Sequence, residues 1–310
     1  MIKVLITGGA GFVGSSLADR LLLSEKYFVV IVDNLLTGDL IKVPRHTLCK
    51  FIKCDVNNYN DISAIMTSYQ FDYVFHYAAV VGVRRTTDNP VMVLRDLDGI
   101  KNVLDLCKNT GVKRIFFSSS SEVYGEPVEL PQNEETTPLN SRLPYAVVKN
   151  VGESFCRSYQ KEFGLDYTIF RFFNTYGSKQ STDFVISKFL KAALSNAPIT
   201  VYGNGQQNRT FCYIDDNTEC ILTILENDLI VNDVINVGSE KNCTVLQLAE
   251  QIISLTKSES KIEFLPPLKE GDMTRRQPDA AKMKQILKLD FVSLEEGLLK
   301  IIKDTPYVIN

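Results

Sequence analysis

Histidine is scarce in this sequence and tryptophan is absent, which limits the chemistry that the chain can carry out. The histidines are His46 and His76. A metal site with three histidines is therefore excluded, and a histidine general base would have to be one of these two residues. We expect no metal site, and we expect His76 to be a buried, hydrogen-bonded side chain rather than an acid or a base.

Paired cysteines, long apolar runs and a strong net charge are missing as well. The seven cysteines are scattered and never form a Cys-x-x-Cys pair, which is typical of reduced core residues. The longest apolar runs, such as 28–32, are far shorter than the roughly 20 residues that span a bilayer. A net charge of -3 attracts neither nucleic acid nor an anionic membrane. With no signal-peptide pattern after Met1, the sequence predicts a cytoplasmic protein that binds neither nucleic acid nor a membrane.

The first half of the sequence contains a regular alternation of short β-branched runs and helix-length segments. The predicted strands are residues 3–7, 28–33, 50–55, 73–77, 114–118 and 166–171. Near-continuous apolar strands separated by helices are typical of a parallel sheet covered on both faces, so the predicted fold class is α/β with a doubly wound parallel sheet. Beyond Asn174 a looser pattern indicates a smaller C-terminal α/β lobe. Helices are predicted at 15–24, 91–110, 144–163, 184–195, 245–256 and 280–287.

A glycine-rich loop follows the first predicted strand and opens the first helix, with Gly8, Gly11 and Gly14 spaced three residues apart. A helix N-terminus presents unpaired N–H groups and the positive end of the helix dipole, and glycine lets a pyrophosphate approach them closely. Phe12 and Val13 are part of the predicted contact. A lone motif of this kind could also be a turn that only packs the helix on the strand.

An acidic residue stands where the second predicted strand ends, nineteen residues after Gly14. There the carboxylate of Asp33, with Asn34 beside it, can accept hydrogen bonds from the ribose hydroxyls of an adenosine. Taken alone, Asp33 could equally cap a turn or a helix. Strand, glycine loop, helix, strand and acid together predict a Rossmann domain that binds a dinucleotide. A carboxylate repels a 2′-phosphate, so the predicted cofactor is NAD rather than NADP.

Four further stretches carry a family resemblance. They are Ser-Ser-Ser-Ser-Glu-Val-Tyr-Gly at 118–125, Tyr-Ala-Val-Val-Lys at 145–149, Arg-Phe-Phe-Asn-Thr-Tyr-Gly at 171–177 and Gly-Gln-Gln-Asn-Arg-Thr-Phe at 205–211. Over nearly its whole length the chain resembles the extended short-chain dehydrogenase/reductase family of nucleotide-sugar epimerases, dehydratases and decarboxylases. The resemblance implies an NAD-binding Rossmann domain at 1–172 and a nucleotide-sugar-binding lobe at 173–310, with some substrate residues interleaved. It also implies a homodimer built from helices near 91–110 and 144–163.

The resemblance adds further residues to the expected NAD site. Asp55 and Val56 match the family's adenine-side loop, and the residues after the fourth predicted strand match its nicotinamide-side loop. The family usually has leucine or phenylalanine where Tyr77 stands. The additional cofactor contacts that we expect are Asp55, Val56, Tyr77, Ala78, Ala79, Ser118, Tyr145 and Lys149.

Tyr145 and Lys149 are expected to carry the proton chemistry for which the sequence has almost no histidine. They stand one helical turn apart on the same face of a predicted helix. An ammonium near a phenol favours the phenolate, which can take the proton of a sugar hydroxyl while the carbon gives hydride to NAD. The same spacing could also be a tyrosine that merely packs on a lysine stem. Ser120 matches the family's catalytic serine or threonine, and Ser119 and Ser121 remain alternatives for that role.

Other matched positions are expected to hold a nucleotide-diphosphate sugar, with UDP as the favoured nucleotide. Asn174, Arg209 and Arg276 resemble family positions that touch the nucleoside diphosphate, and the planar fork of arginine suits a pyrophosphate. For both arginines the alternative is a solvated surface charge. Arg275 stands beside Arg276, so either of these two could be the matched position. The expected residues on the sugar side are Arg84, Ser120, Ser121 and Glu122.

The family's reactions share a first step, oxidation of the sugar at C4 to a ketone, and differ in their later steps. Similar 4-epimerases more often have an uncharged residue in place of Glu122, whereas decarboxylases and dehydratases have glutamate, which could remove a C5 proton. Ser121 replaces the aspartic acid of the dTDP-sugar 4,6-dehydratases. Our first hypothesis is a UDP-sugar 4-epimerase, and the second is a UDP-glucuronate decarboxylase or a nucleotide-sugar 4,6-dehydratase. A net sugar-nucleotide dehydrogenase or a non-catalytic NAD-binding sensor would carry the same motifs.

Overall fold

The computed structural model describes residues 1–267 and 276–304, apart from the side chains at positions 83 and 84. The strands are β1 (Ile2–Thr7), β2 (Tyr27–Asp33), β3 (Cys49–Lys53), β4 (Tyr73–His76), β5 (Arg114–Ser120), β6 (Asp166–Phe172), β7 (Thr175–Tyr176), β8 (Ile199–Tyr202), β9 (Asn208–Thr210), β10 (Cys212–Tyr213), β11 (Asp233–Val237), β12 (Asn242–Thr244) and β13 (Ile262–Leu265). The helices are α1 (Phe12–Leu22), α2 (Tyr59–Tyr69), α3 (Val83–Asp88), α4 (Pro90–Leu94), α5 (Asp96–Thr110), α6 (Pro144–Phe163), α7 (Val185–Leu194), α8 (Ile214–Glu226), α9 (Val245–Thr256), α10 (Ala281–Leu287) and α11 (Leu294–Lys303).

The central sheet has seven strands in the order β11-β6-β5-β4-β1-β2-β3. The neighbouring strands from β3 to β6 run parallel, and their register pairs Thr7 with Val32 on one side and with His76 on the other. The strand order reverses between β1 and β4, so the loops after Thr7 and His76 flank the switch point at which such sheets bind ligands. The predicted α/β fold with a doubly wound Rossmann sheet is confirmed.

Strands of the central sheet are buried on both faces, which explains why their sequences are apolar along most of their length. In β1, residues 4–6 are fully buried. One face packs against α2, α5 and α6 in a cluster that joins strand residues such as Phe117 to helix residues such as Val148. Arg114 and Phe117 stand three residues apart in β5, so their side chains point to opposite faces of the sheet. On its face, the Arg114 guanidinium donates to the carbonyl of Leu229, after α8, at 2.9 Å.

The described chain divides into two units. Unit 1 comprises Met1–Gly125, Leu139–Phe172 and Thr218–Ile235. Unit 2 comprises Glu126–Pro138, Phe173–Asn217 and the described residues from Asn236 onward. Unit 1 contains β1 to β6, whereas unit 2 contains three two-stranded sheets that pair β7 with β10, β8 with β13 and β9 with β12. Across residues 1–267 and 276–304, no helix combines the length and the apolar character needed to cross a membrane.

Differences between the predicted and observed elements are mostly at boundaries. The bounds predicted for α6 and α9 are confirmed. The segment 91–110, predicted as one helix, is divided into α4 and α5 at Arg95, next to Asp96, whose carboxylate accepts the backbone N–H of Val80 at 2.7 Å. The sequence prediction missed α8, α11 and β11, although Ser293 and Glu296 form a capping box that marks the start of α11.

Candidate active site

The glycine loop of unit 1 is held close to the chain that follows β4. Gly8 has φ +67°, and a Cβ added to it would lie 2.7 Å from backbone atoms of Ala78. A Cβ on Gly14 would lie 2.8 Å from the Gly8 carbonyl oxygen. Helix α1 begins after Gly11, which makes no side-chain cap to its first turn. The loop therefore needs glycine for its own packing, and the absence of a side-chain cap from Gly11 suits a helix N-terminus that binds a pyrophosphate.

Asp33 ends β2 beside this loop, and the residue is only 8% exposed. It accepts the backbone N–H of Ala10 at 3.1 Å and that of Leu35 at 2.8 Å. Burial raises the pKa of Asp33, and these two donors act in the opposite direction. A carboxylate can accept about four hydrogen bonds, so capacity remains for two ribose hydroxyls. The glycine loop and this acid together fit a dinucleotide such as NAD.

The residues expected on the adenine side come together at the ends of β2 and β3. The side-chain amide of Asn34 donates to Asp55 at 3.4 Å, and Asp55 also accepts the backbone N–H of Asn57 at 3.0 Å. Val56 is buried, and its carbonyl accepts the side-chain amide of Asn102 on α5 at 3.0 Å. Helix α5 thus holds the adenine-side loop in place.

His76 and Thr7 organise the loop after β4. The Thr7 hydroxyl accepts the N–H groups of Tyr77 and Ala78, each at 3.2 Å, and is hydrogen-bonded to Nδ1 of His76 at 2.9 Å. Burial, with a smaller effect of Lys149, lowers the pKa of His76 to about 3. The prediction of a buried, hydrogen-bonded histidine is confirmed, and burial disfavours the protonated form of its ring. In the part of the chain that the structure describes, no group of three His, Cys, Asp or Glu residues could hold a metal ion.

Tyr77 occupies a position where a smaller or purely apolar side chain would be usual for the family. Its ring lies edge-on to Phe75 and to Phe172, with centroid distances of 5.8 Å in both cases. Tyr77 is half-buried, but its hydroxyl oxygen is buried, and burial raises the pKa of that hydroxyl well above the ordinary value. Tyr77 therefore acts here as an aromatic packing residue, and Ala78 and Ala79 follow it at the switch point.

Helix α6 carries Tyr145 and Lys149 in its first two turns, as predicted. The Lys149 ammonium lies 5.7 Å from the centroid of the Tyr145 ring and donates to the Ser118 hydroxyl at 3.2 Å. Only 2% of the Lys149 surface is exposed. Burial lowers the pKa of Lys149 to about 8, and attraction to the Asp96 carboxylate opposes this effect.

The four consecutive serines have different partners. Ser118 accepts from Lys149, whereas Ser119 donates to the buried carboxylate of Glu153 at 2.6 Å. The Ser120 hydroxyl accepts the N–H of Glu122 at 3.2 Å and begins a short 3-10 helix at Ser121–Tyr124. Because Ser119 is committed to Glu153 while Ser120 keeps a proton to donate, the geometry favours Ser120 over Ser119 as the serine that meets substrate. Ser121 is 2% exposed, and Glu122 is half-buried.

A buried ion pair behind the site was not predicted from the sequence. Arg171 on β6 donates to both oxygens of Glu153 on α6, at 2.9 and 2.8 Å, and to the Tyr124 hydroxyl at 2.9 Å. Burial alone would raise the pKa of Glu153, but the arginine and the Ser119 hydroxyl hold it below its ordinary value. A sequence signal existed, since Glu153 follows Lys149 by one more helical turn.

Residues expected to bind the nucleoside diphosphate belong to unit 2. The side-chain amide of Asn174 donates to the Thr210 carbonyl at 3.0 Å, which joins it to the residue after Arg209. The Arg209 guanidinium donates to the Asn208 carbonyl at 2.7 Å. Arg276 is half-buried in unit 2. In unit 1 the backbone of position 84 belongs to α3, but the side chain of Arg84, like the whole of Arg275, lies outside the described residues.

Comparisons with known proteins agree with this arrangement. The model of the NAD dependent epimerase/dehydratase family matches residues 4–238. UDP-glucuronic acid decarboxylase 1 of Danio rerio is 36% identical over 313 residues, which cover 97% of this chain and 72% of that protein. The structure of a UDP-glucose 4-epimerase of Thermotoga maritima with UDP-glucose matches with a TM-score of 0.92 and 30% identity, covering 98% of this chain and 100% of that chain. The Thermus thermophilus UDP-glucose 4-epimerase in complex with NAD matches with a TM-score of 0.90 and 27% identity, covering 97% and 98% of the two chains.

Proposed function

The chain belongs to the NAD-dependent epimerase/dehydratase family, and on that premise we propose that it oxidises and re-reduces C4 of a UDP-sugar. The observation that carries the proposal is the start of α6, where the buried Lys149 ammonium lies 5.7 Å from the Tyr145 ring. A phenol beside an ammonium is a proton acceptor suited to the oxidation of an alcohol.

Residues at the carboxyl ends of β1, β2 and β4 hold NAD in this proposal. Gly8, Gly11 and the first turn of α1 bind its pyrophosphate, Asp33 binds the adenosine ribose, and Ala78 lies on the nicotinamide side. NAD, when bound, supplies the acceptor and later the donor of a hydride for the sugar carbon. The family's dependence on NAD supports this part of the proposal.

Proton transfer is assigned to the side chains of α6 and β5. The Tyr145 phenolate oxygen takes the proton of the C4 hydroxyl, and the Lys149 ammonium stabilises that phenolate. Ser120 donates a hydrogen bond to the same sugar oxygen. When the sugar is reduced again, Tyr145 returns the proton, so the protein ends each cycle in its starting protonation state.

The substrate is proposed to be a UDP-sugar whose diphosphate is bound by Asn174, Arg209 and Arg276. Names of similar proteins support this class, since they include UDP-glucose 4-epimerases and a UDP-glucuronic acid decarboxylase. The protein is also proposed to be a homodimer. Exposed apolar side chains on α4 and α6 support a dimer, with Val91 66% and Val147 38% exposed. Light scattering tests it, and a mass near 34.9 kDa, that of one chain, would contradict the dimer.

Epimerisation at C4 is our first candidate for the net reaction. It requires the ketone only to turn over in the site before it is reduced, so it uses no residue beyond those that oxidise C4. The Thermotoga 4-epimerase and this chain match over almost their whole lengths, which supports this reaction.

Decarboxylation of UDP-glucuronate is the second candidate, favoured by the 36% identity to the Danio rerio decarboxylase. Once C4 is a ketone, the C5 carboxylate of a uronate belongs to a β-keto acid and leaves as carbon dioxide. Glu122 stands two residues after Ser120 and donates its backbone N–H to that hydroxyl, which supports a position beside the reacting sugar.

Product analysis distinguishes the candidates. The purified protein is incubated with UDP-glucose, UDP-galactose, their N-acetyl forms and UDP-glucuronate, with Tyr145→Phe as the matched blank. We expect interconversion of 4-epimers without accumulation of NADH, and a rate in Tyr145→Phe lower by about 10³-fold at unchanged NAD content. Release of carbon dioxide would establish the second candidate instead. Stoichiometric NADH would indicate a net dehydrogenase, and no product from any of these sugars would contradict the proposal.

A further inference from the structure

The short turn that carries Ser120 and Glu122 ends in a tyrosine held by a charged donor. We call residues 120–124 the serine turn. Nη1 of Arg171 on β6 donates to the Tyr124 hydroxyl at 2.9 Å, and the guanidinium carbon lies 4.8 Å from the centroid of the Tyr124 ring. Tyr124 is 1% exposed. Hydrogen bonds from charged donors are among the stronger ones in proteins, so this contact fixes the end of the turn.

Arg171 is itself held from its other side. Its Nε and Nη2 atoms donate to the two carboxylate oxygens of Glu153 on α6, at 2.9 and 2.8 Å. Both residues are buried. The guanidinium is planar, so two anchored nitrogens define its orientation and Nη1 meets Tyr124 from one direction. The Tyr124 hydroxyl is therefore placed relative to both β6 and α6.

Hydrogen bonds within the serine turn connect this fixed end to Ser120. The backbone N–H of Glu122 donates to the Ser120 hydroxyl oxygen at 3.2 Å. The N–H of Gly125, which follows Tyr124, donates to the Glu122 carbonyl at 3.1 Å. A shift of Tyr124 would therefore move Glu122 and turn the Ser120 hydroxyl with it.

The serine turn also contacts the chain that leads into α6. The backbone N–H groups of Asn140 and Ser141 donate to the carbonyls of Tyr124 and Val123, each at 3.4 Å. Tyr145 stands four residues after Ser141, in the first turn of α6. All of these residues belong to unit 1. The turn thus joins the serine of the site to the segment that presents its tyrosine.

We propose that Tyr124 is a positioning residue of the active site, whose hydroxyl, held by Arg171, sets the serine turn so that Ser120 donates to the sugar oxygen. The proposal rests on the proposed function, because it gives Tyr124 a part in that reaction. Tyr124 acts through Ser120 and touches neither sugar nor cofactor. A purely structural hydroxyl would lower stability with no selective effect on the contribution of Ser120, and two experiments separate these roles.

The first experiment is a double-mutant cycle on kcat, measured with the UDP-sugar that the wild type converts. Tyr124→Phe removes only the hydroxyl and keeps the ring over the guanidinium. We expect kcat to fall by about tenfold or more, because a displaced donor contacts the transition state poorly. In a Ser120→Ala background the same change should lower kcat by less than about twofold, since no hydroxyl remains to be positioned. Rates are divided by bound NAD, which removes any contribution from unfolded protein.

Tyr27→Phe is the matched control. Tyr27 begins β2, is 2% exposed, and donates its hydroxyl to the Glu226 carboxylate at 3.2 Å, so this variant also loses a hydrogen bond to a charged group. It stands at the opposite end of β2 from Asp33. Its kcat should stay within about twofold of wild type, because distant sites act independently. An unchanged kcat in Tyr124→Phe, or equal fold losses with and without the Ser120 hydroxyl, would overturn the proposal.

The second experiment needs no substrate. Hydrogen–deuterium exchange is followed by mass spectrometry in wild type and in Tyr124→Phe, on peptides that span 118–125 and β1. The serine turn should exchange about tenfold faster in the variant relative to β1, because its local opening becomes easier. Equal acceleration of both peptides, or an unchanged serine turn, would contradict the proposal even if kcat falls.

The two experiments also separate this proposal from the proposed function. If wild type acts on no UDP-sugar but Tyr124→Phe loosens the serine turn, the proposed function fails and the hold of Tyr124 on the turn stands. If wild type is active and neither the double-mutant cycle nor the exchange gives the expected result, only the role of Tyr124 fails.

Discussion

Two buried acid–base pairs lie one helical turn apart along α6, and they are built differently. Glu153 accepts two hydrogen bonds from the Arg171 guanidinium, at 2.9 and 2.8 Å, and one from Ser119 at 2.6 Å. We call Glu153 and Arg171 the tight pair. Lys149 and Asp96 attract each other electrostatically, while each makes its hydrogen bonds to other groups. We call them the loose pair.

Geometry gives the two pairs different behaviour. In the tight pair, burial alone would raise the pKa of Glu153, but the arginine holds it below its ordinary value, so the carboxylate stays charged. In the loose pair, burial lowers the pKa of Lys149 to about 8, so its charge can respond to pH and to neighbouring groups. We infer that the tight pair anchors α6 against β6, and that the loose pair serves the chemistry.

The largest effect is expected from breaking the tight pair. Glu153→Gln leaves the Arg171 guanidinium buried without a counter-charge, so the free energy of unfolding should fall by about 3–5 kcal/mol. Denaturant titration followed by circular dichroism measures this loss. Arg157→Gln is the control, because Arg157 contacts the same carboxylate from a side chain that is 44% exposed, and its loss should stay below about 1 kcal/mol. Equal losses of unfolding free energy in Glu153→Gln and Arg157→Gln would contradict the stronger stabilising role of the buried pair.

A smaller, pH-dependent effect is expected from removing the charge of the loose pair with Lys149→Met. The pKa of Lys149 falls from its ordinary 10.5 to about 8 on folding. Between these values the unfolded wild type binds more protons than the native protein, so wild-type stability rises with pH relative to the variant. The difference in unfolding free energy between the two proteins should change by about 3 kcal/mol across this range. Parallel denaturant titrations measure it, and a difference independent of pH would show that the lysine is not destabilised by burial.

The smallest effects concern the two serines that serve these pairs. Ser119→Ala removes a donor from the Glu153 carboxylate, and we expect a loss of about 1–2 kcal/mol in unfolding free energy with kcat unchanged. Ser118→Ala removes the acceptor of the Lys149 ammonium and should instead lower kcat, with a smaller loss of stability. Unfolding and steady-state kinetics are measured on both variants. A loss of kcat in Ser119→Ala, with kcat unchanged in Ser118→Ala, would contradict the assignment of the tight pair to stability and of the loose pair to catalysis.

Much of the fold is predictable from sequence patterns, because buried strands leave unbroken apolar runs. The elements that were not predicted lack such a run. Strands β1 and β2 are buried on both faces, so an unbroken apolar run marks each of them, and each begins one residue before its predicted start. The break at Arg95 has no such mark, because it lies within a helical pattern and beside the contact of Asp96 with Val80. Strand β11 is a short run in a region of mixed pattern, and its place at the edge of the sheet depends on pairing with β6.

The site divides in the same way. The glycine loop, Asp33 and the spacing of Tyr145 and Lys149 could be predicted because each depends on residues close together in the chain. The partner of Ser119 could not, because Glu153 reaches it from a helix 34 positions further along. The close approach of the glycine loop to the loop after β4 is likewise a contact between separate strands.

By itself the sequence determined the doubly wound sheet, the dinucleotide loop and the family, since apolar periodicity, glycine spacing and helical spacing all act over a few residues. The tertiary structure alone decided which serine meets which charge, that His76 is neutral, and that Asp96 opposes the burial of Lys149. The physical reason is that a group's charge depends on its loss of water and on the groups that the fold brings near it, and neither quantity is encoded in its neighbours along the chain.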